Sequence, residues 1–386
     1  MHRFDAIVVG AGPAGSTTAY RLAEAGASVL LLDRAAFPRD KPCGGGVTVR
    51  AQSLLPFSIE PVVEGVIDGF DVRAGRMRLV RRSDMPLAYM TQRRRLDAFL
   101  VERAANAGAD VRTGARVTVV RPGEVDAAGE TFAAAVIVGA DGVNGITARS
   151  LGLATDRVHC VALEGNADYE AVRGDVDRDL MVLEFATVRG GYAWVFPKGG
   201  HANLGVAGWV SEGPLLRDHL ARLCARYGVA PEDLGDLRGY RLPMRRATGA
   251  LASGRVALVG DAAGLVDPLS GDGMYEAFLS GKLAAEHALE ILAGERETFD
   301  AYAAELPARL EALVRTSWAA KHALDRFPRL SLAVSRAPRL WPFVVQMMRG
   351  EVSAPRDATG IVRLPLRVLD GIAGVAASRN RAVQTS

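Results

Sequence analysis

The residues with the clearest chemical potential lie at positions 41–46, in the run K-P-C-G-G-G. Its three successive glycines leave the backbone without Cβ atoms, so a flat group can lie against this run and contact its N–H groups. Cys43 stands directly before the glycines, and the surroundings of a buried thiol tune how firmly it holds its proton. The run therefore predicts a place where a planar ligand lies next to a thiol.

A glycine-rich turn precedes this run at residues 10–15, in the pattern G-x-G-x-x-G. In such a turn Gly10 permits the tight bend, Gly12 lets a pyrophosphate approach, and Gly15 allows a strand and a helix to pack closely. Asp33 ends the next predicted strand, where a carboxylate accepts hydrogen bonds from ribose hydroxyls. Strand, turn, helix and acid in this order predict a dinucleotide-binding βαβ unit.

Two later motifs favour FAD over NAD as the dinucleotide. The first runs over residues 259–264 (V-G-D-A-A-G) and 268–273 (P-L-S-G-D-G), and the second is G-A-D-G at residues 139–142. Asp261 would accept hydrogen bonds from a ribityl chain. The last two glycines of the first motif would let a helix begin against the flavin, where its N-terminus stabilises negative charge. Together with the opening turn, these motifs predict FAD.

The elements that must position these motifs alternate along the chain. Apolar runs predict parallel strands over 4–9, 29–32, 136–138 and 256–259, helical spacing predicts helices over 13–25, 96–107 and 274–292, and shorter strands are predicted over 180–186, 192–196 and 202–207. We expect 274–292 to be the longest helix, and Pro328, Pro338 and Pro342 to break the tail into short helices.

This alternation predicts an α/β protein, in which a Rossmann-like FAD-binding domain is interleaved with an antiparallel-sheet substrate domain and followed by a helical C-terminal region. The FAD-binding domain takes residues 1–46, 91–154 and 249–300, the substrate domain takes 47–90 and 155–248, and the helical region takes 301–386. Both domains are discontinuous in sequence.

Composition limits the class of protein. With 386 residues, 49% hydrophobic and 24% charged, the chain is globular and long enough for two cores. Its three cysteines, Cys43, Cys160 and Cys224, are scattered without a C-x-x-C pattern, which argues against a disulfide framework or a metal site and favours the cytoplasm. No apolar stretch is long enough to span a bilayer. Nucleic-acid binding is not predicted, because no recognition motif accompanies the charge.

The three FAD motifs, in this order, resemble the flavoproteins of the p-hydroxybenzoate hydroxylase fold. Two stretches resemble signatures of the geranylgeranyl reductase family: K-P-C-G-G-G at 41–46 and Y-A-W-V-F-P at 192–197. The resemblance covers about residues 4–300. In one departure, Gly145 stands where the family's D-G-x-N-S pattern has serine.

The resemblance implies further contacts with FAD. Arg93, one of three consecutive arginines, would reach the pyrophosphate, the backbone of Val117 would pair with adenine, and Gly273 and Met274 would lie at the pyrimidine edge. The full set predicted to bind FAD is Gly10, Gly12, Pro13, Ala14, Gly15, Asp33, Arg34, Cys43, Gly44, Gly45, Gly46, Arg93, Val117, Asp141, Asp261, Pro268, Gly271, Gly273 and Met274.

The family activity implied is the saturation of isoprenoid C=C bonds with FAD. The alkene needs a hydride on one face and a proton on the other, away from water. Cys43 is the first candidate for the proton donor, and its alternative role is a small apolar residue packed under the ring. Tyr192 and Trp194 alternate onto one face of a strand with Phe196, so they would floor the substrate cavity, unless they are ordinary sheet core. The predicted catalytic residues are Cys43, Tyr192 and Trp194.

Two other functions fit the same motifs. The first is an aromatic monooxygenase or halogenase of the same fold, since fold does not determine function. Those enzymes do not typically show a Cys-Gly-Gly-Gly run. The second is a flavin-holding binding or regulatory protein without turnover. Signatures predicted on both sides of the ring argue against it.

The electron donor and the partners are less specific. The sequence has no second G-x-G-x-x-G and no cysteine pair, so we expect either transient NADPH or a ferredoxin-like protein to donate electrons. From Arg315 onward the chain holds 12 Lys and Arg residues against 4 Asp and Glu residues. This basic tail, with its interleaved aromatic and aliphatic residues, predicts either peripheral contact with a membrane that carries the isoprenoid substrate or helices packed over the substrate domain.

Overall fold

The computed structural model describes residues 2–153, 157–245, 249–338 and 340–352. Its strands are β1 (His2–Val9), β2 (Val29–Leu32), β3 (Gly46–Thr48), β4 (Val63–Ile67), β5 (Gly69–Ala74), β6 (Met77–Arg82), β7 (Ala88–Thr91), β8 (Asp110–Arg112), β9 (Val117–Arg121), β10 (Glu124–Ala127), β11 (Glu130–Gly139), β12 (Arg157–Asp168), β13 (Leu180–Phe185), β14 (Tyr192–Lys198), β15 (His201–Trp209), β16 (Gly235–Arg245), β17 (Ala252–Ser253) and β18 (Val256–Leu258). Its α-helices are α1 (Pro13–Glu24), α2 (Val49–Gln52), α3 (Arg93–Asn106), α4 (Thr147–Ser150), α5 (Leu216–Arg226), α6 (Met274–Leu292), α7 (Asp300–Arg326), α8 (Pro328–Ser335) and α9 (Leu340–Arg349).

The first sheet is built around parallel strands in the order β18-β11-β1-β2-β8. The short β17 adds an antiparallel edge beside β18, and β9 and β10 form an antiparallel ribbon that continues from β11. The strands are apolar without alternation because helices α1, α6 and α7 cover one face and the ribbon covers the other. Because β1, β11 and β18 run parallel, their carboxyl ends lie at one edge of the sheet, and the glycine-rich turns that follow these strands meet there.

The second sheet has the order β16-β12-β15-β14-β13-β5-β6 and is antiparallel except for the β13–β5 pair. Helix α5 covers one face, where Ala193 and Val195 of β14 lie in the same apolar cluster as Leu220. The side chains at alternate positions of β14 point to the opposite face. A third sheet has three strands in the order β3-β7-β4, and β5 and β6 of the second sheet fall between β4 and β7 in the sequence.

The predicted fold class is confirmed by this arrangement. The predicted elements are all present, β2 and α6 with the predicted ends and the others with adjusted ends. Helix α3 begins at Arg93 rather than Leu96, and β11 is a ten-residue strand of which only the end was predicted. The strands of the first sheet fall within the segments proposed for the FAD-binding domain, and those of the second within the segments proposed for the substrate domain. The boundary residues 154, 155 and 248, and residues 353–386 of the proposed helical region, lie outside the described residues.

Two expectations about the tail are wrong. The longest described helix is α7 with 27 residues, not α6 with 19. Pro307 lies inside α7 and does not end it. The proline removes one N–H donor from the helix, and the other residues continue the helix past it. The second wrong expectation concerns Pro342, which does not end a helix. It lies in the first turn of α9, where backbone N–H groups make no hydrogen bonds within the helix, so a proline there costs none.

Candidate active site

A cavity of about 560 Å³ lies where the glycine-rich edge of the first sheet meets the open face of the second. It brings together most of the predicted site residues, namely Gly12, Pro13, Ala14, Cys43, Gly44, Gly45, Gly46, Arg93, Tyr192, Trp194, Phe196, Asp261, Pro268, Gly271, Gly273 and Met274. The predicted residues that do not line it are Gly10, Gly15, Asp33, Arg34, Val117 and Asp141.

The first glycine-rich turn has the geometry of a pyrophosphate cradle. Gly10 has φ +103°, and a Cβ there would collide with the carbonyl oxygen of Ala140. A Cβ at Gly15 would collide with the carbonyl oxygen of Gly10, whereas one at Gly12 would meet no described atom closer than 3.8 Å. Helix α1 begins at Pro13 with no side-chain cap and no acid in its first turn. An open backbone at an uncapped helix N-terminus fits the phosphates of FAD.

Asp33 ties this turn to the end of β2. One of its carboxylate oxygens accepts the N–H of Ala11 at 2.8 Å, and the other accepts the N–H of Ala35 at 2.8 Å. Each oxygen can accept a second hydrogen bond, so a role in holding ribose hydroxyls stays a prediction. Arg34 beside it is exposed, and Val117 begins β9, close to Ala115, whose N–H is bonded to the Asp33 carbonyl at 2.8 Å.

The loop that follows Cys43 passes between strands of the second and third sheets. Gly45 has φ +84°, and its carbonyl accepts both the N–H and the hydroxyl of Thr91, at 2.8 and 3.1 Å. A Cβ at Gly46 would stand 2.8 Å from Met181 Cε. Burial raises the pKa of the Cys43 thiol, so the thiol stays protonated at neutral pH.

The aromatic residues of β14 lie on the cavity face, as their alternation predicts. The Tyr192 and Trp194 ring centroids are 5.9 Å apart, and those of Trp194 and Phe196 are 6.0 Å apart. Trp194 Nε1 donates to Asn203 Oδ1 at 2.7 Å, and Gly205 on the neighbouring strand leaves the space that the indole fills. These contacts fix the three rings as one wall.

Asp261 is held by two side chains that sequence reasoning did not assign. Tyr240 donates its hydroxyl to the Asp261 carboxylate, and Lys41 Nζ lies 3.1 Å from the same oxygen. Burial opposes ionisation, but Lys41 and Tyr240 hold the pKa of Asp261 below its usual value. The carboxylate is therefore an ionised acceptor at the cavity wall, which suits the predicted contact with the ribityl chain.

Arg93 is the buried member of the three arginines that begin α3, and its two neighbours are exposed. Its guanidinium makes two hydrogen bonds to the Asp97 carboxylate, at 2.6 and 2.8 Å, and Arg39 approaches the same carboxylate at 3.1 Å. Burial lowers the pKa of Arg93, but the Asp97 carboxylate more than offsets this effect. The pKa of Arg93 is therefore raised above its usual value, and the guanidinium stays charged. Of the three candidates, Arg93 therefore has the position from which a cavity ligand can be reached.

Two acidic residues at the N-terminus of α6, Asp272 and Glu276, had no role in the sequence analysis. Asp272 accepts the N–H of Met274 at 3.0 Å, so one donor predicted to face the flavin is already bonded. Burial raises the pKa of Asp272 to about 6, although backbone N–H groups oppose the shift. Glu276, in the first turn, is buried, and burial also raises its pKa.

Asp141 has a local structural contact. One of its oxygens accepts the N–H of Ile146 at 2.7 Å and both the N–H and the hydroxyl of Thr147, at 2.8 and 2.9 Å. A Cβ at Gly145 would collide with this carboxylate, so in this arrangement the position that departs from the family pattern has no room for a side chain. Contact between Asp141 and FAD stays a prediction.

Sequence reasoning missed two groups of residues at or beside the cavity. Glu164 and Lys198 contact the Cys43 peptide from the second sheet, but as single charges in strands they carried no motif. The other group lies on α7 and α9, namely Leu313, Ser317, Lys321, Leu324, Met347 and Met348. The four α7 residues are three or four positions apart, which places them on one face of the helix. This spacing was the sequence signal that could have identified them.

The aromatic and aliphatic tail residues that were expected at a membrane surface lie in three environments: solvent, the protein interior and the cavity. Leu330 is 50% exposed, Leu340 and Phe343 are buried, and Met347 and Met348 line the cavity. Arg339, which belongs to the same basic tail, lies outside the described residues. None of the described helices is both long and apolar enough to cross a bilayer. The described residues also hold no cluster of side chains suited to a metal ion.

Comparison with known proteins gives consistent matches. A family model described as FAD binding domain matches residues 3–200. The chain is 33% identical over 362 residues to digeranylgeranylglycerophospholipid reductase 1 of Methanopyrus kandleri, a match that covers 85% of this chain and 92% of that protein. It is also 33% identical over 311 residues to geranylgeranyl diphosphate reductase of Rhodobacter capsulatus, covering 75% of this chain and 76% of the relative.

A solved structure extends the match to the whole fold. A geranylgeranyl bacteriochlorophyll reductase-like protein from Thermoplasma acidophilum superposes with a TM-score of 0.75 and covers 99% of both chains, at 22% identity. At this identity the likeness establishes the fold alone.

Proposed function

Because this chain belongs to the FAD-binding domain family and to the geranylgeranyl reductases, we propose that it uses FAD to saturate C=C bonds of a polyprenyl, geranylgeranyl-type substrate. The observation that carries the proposal is the shared cavity, in which the phosphate turn, the Cys43 loop and a largely apolar wall line one space. The names of the relatives include both a glycerophospholipid and a diphosphate, so the proposal concerns the polyprenyl chain rather than its head group.

When bound, FAD supplies the hydride for the reduction. The residues of this chain hold the cofactor in place. Gly12 and the N-terminus of α1 would bind the pyrophosphate, and Asp33 would accept ribose hydroxyls. The bare backbone of Gly44 and Gly46 would lie along the ring system, with Arg93 near the phosphates.

We assign the proton to Cys43. An isolated alkene is a poor hydride acceptor, so a proton must add to one alkene carbon while positive charge develops on the other, which is the carbon that accepts the hydride. The S–H bond of Cys43 breaks as the new C–H bond forms, and the thiolate then regains a proton from solvent. The raised pKa of the thiol keeps the proton available at neutral pH, and the charges of Arg93 and Lys198 favour the thiolate that remains.

The walls of the cavity would hold the substrate chain and exclude water. Tyr192, Trp194 and Phe196 form one side, and apolar residues of the second sheet and of helix α7, such as Leu183 and Leu313, extend it. Water exclusion strengthens each electrostatic contact in the site and prevents loss of the proton. We propose that these aromatic rings position the double bond rather than transfer protons.

The reaction consumes electrons that another molecule must supply. We propose either NADPH, which would visit the cavity transiently, or a ferredoxin-like protein. Contact of the tail helices with a membrane surface would give access to a lipid substrate, and the exposed Leu330 and Val344 are the side chains on which this part of the proposal rests.

Anaerobic flavin reoxidation tests the proposed function. The purified protein is reduced with dithionite and mixed with geranylgeranyl diphosphate or a prenylated quinone without oxygen. Return of the oxidised flavin spectrum, with a product heavier by two hydrogen atoms per reduced bond, would support an alkene reductase. A flavin that stays reduced with every prenyl substrate contradicts the proposal. Rapid reaction with oxygen in the presence of an aromatic compound would then indicate a monooxygenase or halogenase.

A further inference from the structure

Two buried charged side chains hold the peptide groups on either side of Cys43. Glu164 on β12 accepts the Cys43 N–H through Oε1 at 2.6 Å. Lys198, the last residue of β14, donates through Nζ to the Cys43 carbonyl at 3.3 Å. Glu164 is 8% exposed and Lys198 is 5% exposed. The second sheet thus contacts the loop at both ends of one residue.

These charges are not explained by pairing. Within the described part of the chain neither side chain forms an ion pair within 4.0 Å, although each favours the charged form of the other from a longer distance. Glu164 lines the cavity, whereas Lys198 lies beside Gly45 of the loop. Burial raises the pKa of Glu164 and lowers that of Lys198, and the opposite charge of each side chain counters part of the other's shift. Burying such charged groups is costly, and neutral side chains could make the same backbone hydrogen bonds. The arrangement therefore implies a use for the charges themselves, and the Cys43 thiol is the reactive group next to them.

We propose that Glu164 and Lys198 are positioning residues that fix the Cys43 thiol against the cavity and set its acidity in opposite directions. This inference rests on the proposed function, because it gives Cys43 the role of proton donor. Glu164 would keep the proton on the sulfur before the reaction. Lys198 would stabilise the thiolate afterwards.

The electrostatic surroundings of the thiol agree with these signs. Burial is the main cause of the raised pKa of Cys43, and the Glu164 carboxylate raises it further. Arg93 on α3 and Lys198 lower it, as does the Gly45 N–H that donates to the sulfur at 3.4 Å. Tyr192 of β14 and Tyr240 of β16 line the same cavity, but their hydroxyls donate to the Ser270 carbonyl and to Asp261, and burial keeps them neutral by raising their own pKa.

Thiol alkylation measures this effect without any prenyl substrate. The protein is purified with its cofactor and treated with iodoacetamide at a series of pH values, and modification of Cys43 is followed by peptide mass. The variants are Glu164→Gln, which keeps the hydrogen-bond acceptor but removes its charge, and Lys198→Met. We expect the thiol pKa to fall in Glu164→Gln and to rise in Lys198→Met, each on the order of one pH unit.

Matched controls separate charge from loosening of the structure. Lys282 and Glu286 form an ion pair on α6 at 3.3 Å, with Lys282 half-buried and Glu286 exposed. Lys282→Met and Glu286→Gln therefore apply the same substitutions away from the cavity and should leave the Cys43 profile unchanged. Lys198→Arg keeps the charge and should stay near the unsubstituted protein, and Lys198→Gln, which also removes the charge, takes the place of Lys198→Met if that variant does not fold.

Three results would overturn the inference. They are profiles identical to those of the controls, shifts of Glu164→Gln and Lys198→Met in the same direction, and a Cys43 that does not react at any pH. A shift in the same direction is what loosening alone would give, because both variants would then expose the thiol. The proposed function fails separately, when prenyl substrates do not reoxidise the flavin although the thiol pKa shifts as expected.

Discussion

Phe196 lies so close to Gly44 that a Cβ on Gly44 would stand 2.7 Å from Phe196 Cδ2. The contact joins the glycine run at 41–46 to the aromatic strand β14, which are far apart in sequence and come from different sheets. The two signatures are therefore one structure: the bare loop lies against the aromatic wall, and both face the cavity.

Replacing Gly44 by valine should displace the loop from this wall. Overpacking a close contact costs about 1–3 kcal/mol, which corresponds to roughly 5- to 150-fold weaker binding if the cost falls on FAD. We expect a lower flavin-to-protein absorbance ratio after Gly44→Val. Gly200→Val is the matched control, because no described atom lies within 4 Å of a Cβ at Gly200. Normal flavin content and turnover in Gly44→Val would contradict a place for this loop beside the flavin.

Removing the Arg93 guanidinium should strongly destabilise the protein. Arg93→Met leaves the fully buried Asp97 carboxylate with Arg39 alone, and breaking a buried ion pair costs about 3–5 kcal/mol in the free energy of unfolding. Urea unfolding measures the loss. The exposed neighbour gives the control, since Arg94→Met should stay within about 0.5 kcal/mol. Equal stability of the two variants would contradict the assigned role of the Arg93–Asp97 pair.

Replacing Cys43 by serine should leave FAD bound but slow the reduction of the alkene. A general acid contributes about 100- to 10,000-fold to a rate, and a serine hydroxyl is a much weaker acid than a thiol. Because burial raises the thiol pKa above its usual value of about 8.5, the unsubstituted protein should keep its rate through neutral pH and lose it only at alkaline pH. Anaerobic flavin reoxidation at a series of pH values measures both effects. An unchanged rate would remove Cys43 as the proton donor.

Asp272 should make stability fall as pH rises from about 4 to about 6. Its pKa is about 6 in the folded protein, against about 3.9 when unfolded, so in this interval the folded state binds more protons and its stability decreases with pH. Asp272→Asn keeps an oxygen for the Met274 N–H but does not ionise. We expect the variant to gain stability relative to the unsubstituted protein across this interval, with a constant difference above it. Urea unfolding midpoints at a series of pH values test this, and parallel curves for the two proteins would contradict it.

The glycine-rich half of the cavity, where FAD is expected to bind, could be predicted from sequence because its determinants are local. Gly10, Gly12 and Gly15 lie within one turn, and the strand and helix around them have unmistakable apolar patterns. Three consecutive glycines after Cys43, and aromatic residues at alternate positions of β14, are also local patterns. Each of these patterns is typical of one local backbone conformation, so the sequence pattern by itself predicts the local structure.

The charges around the thiol and the walls of the cavity were decided by the tertiary structure. Glu164 and Lys198 are more than 100 residues from Cys43, and a lone charge in a strand has no pattern that predicts burial. The choice of Arg93 among three arginines depended on which side of α3 faces the cavity, and the role of α7 depended on where a long helix packs. Burial and long-range contacts depend on how distant segments meet, and a single sequence specifies them only through the complete fold.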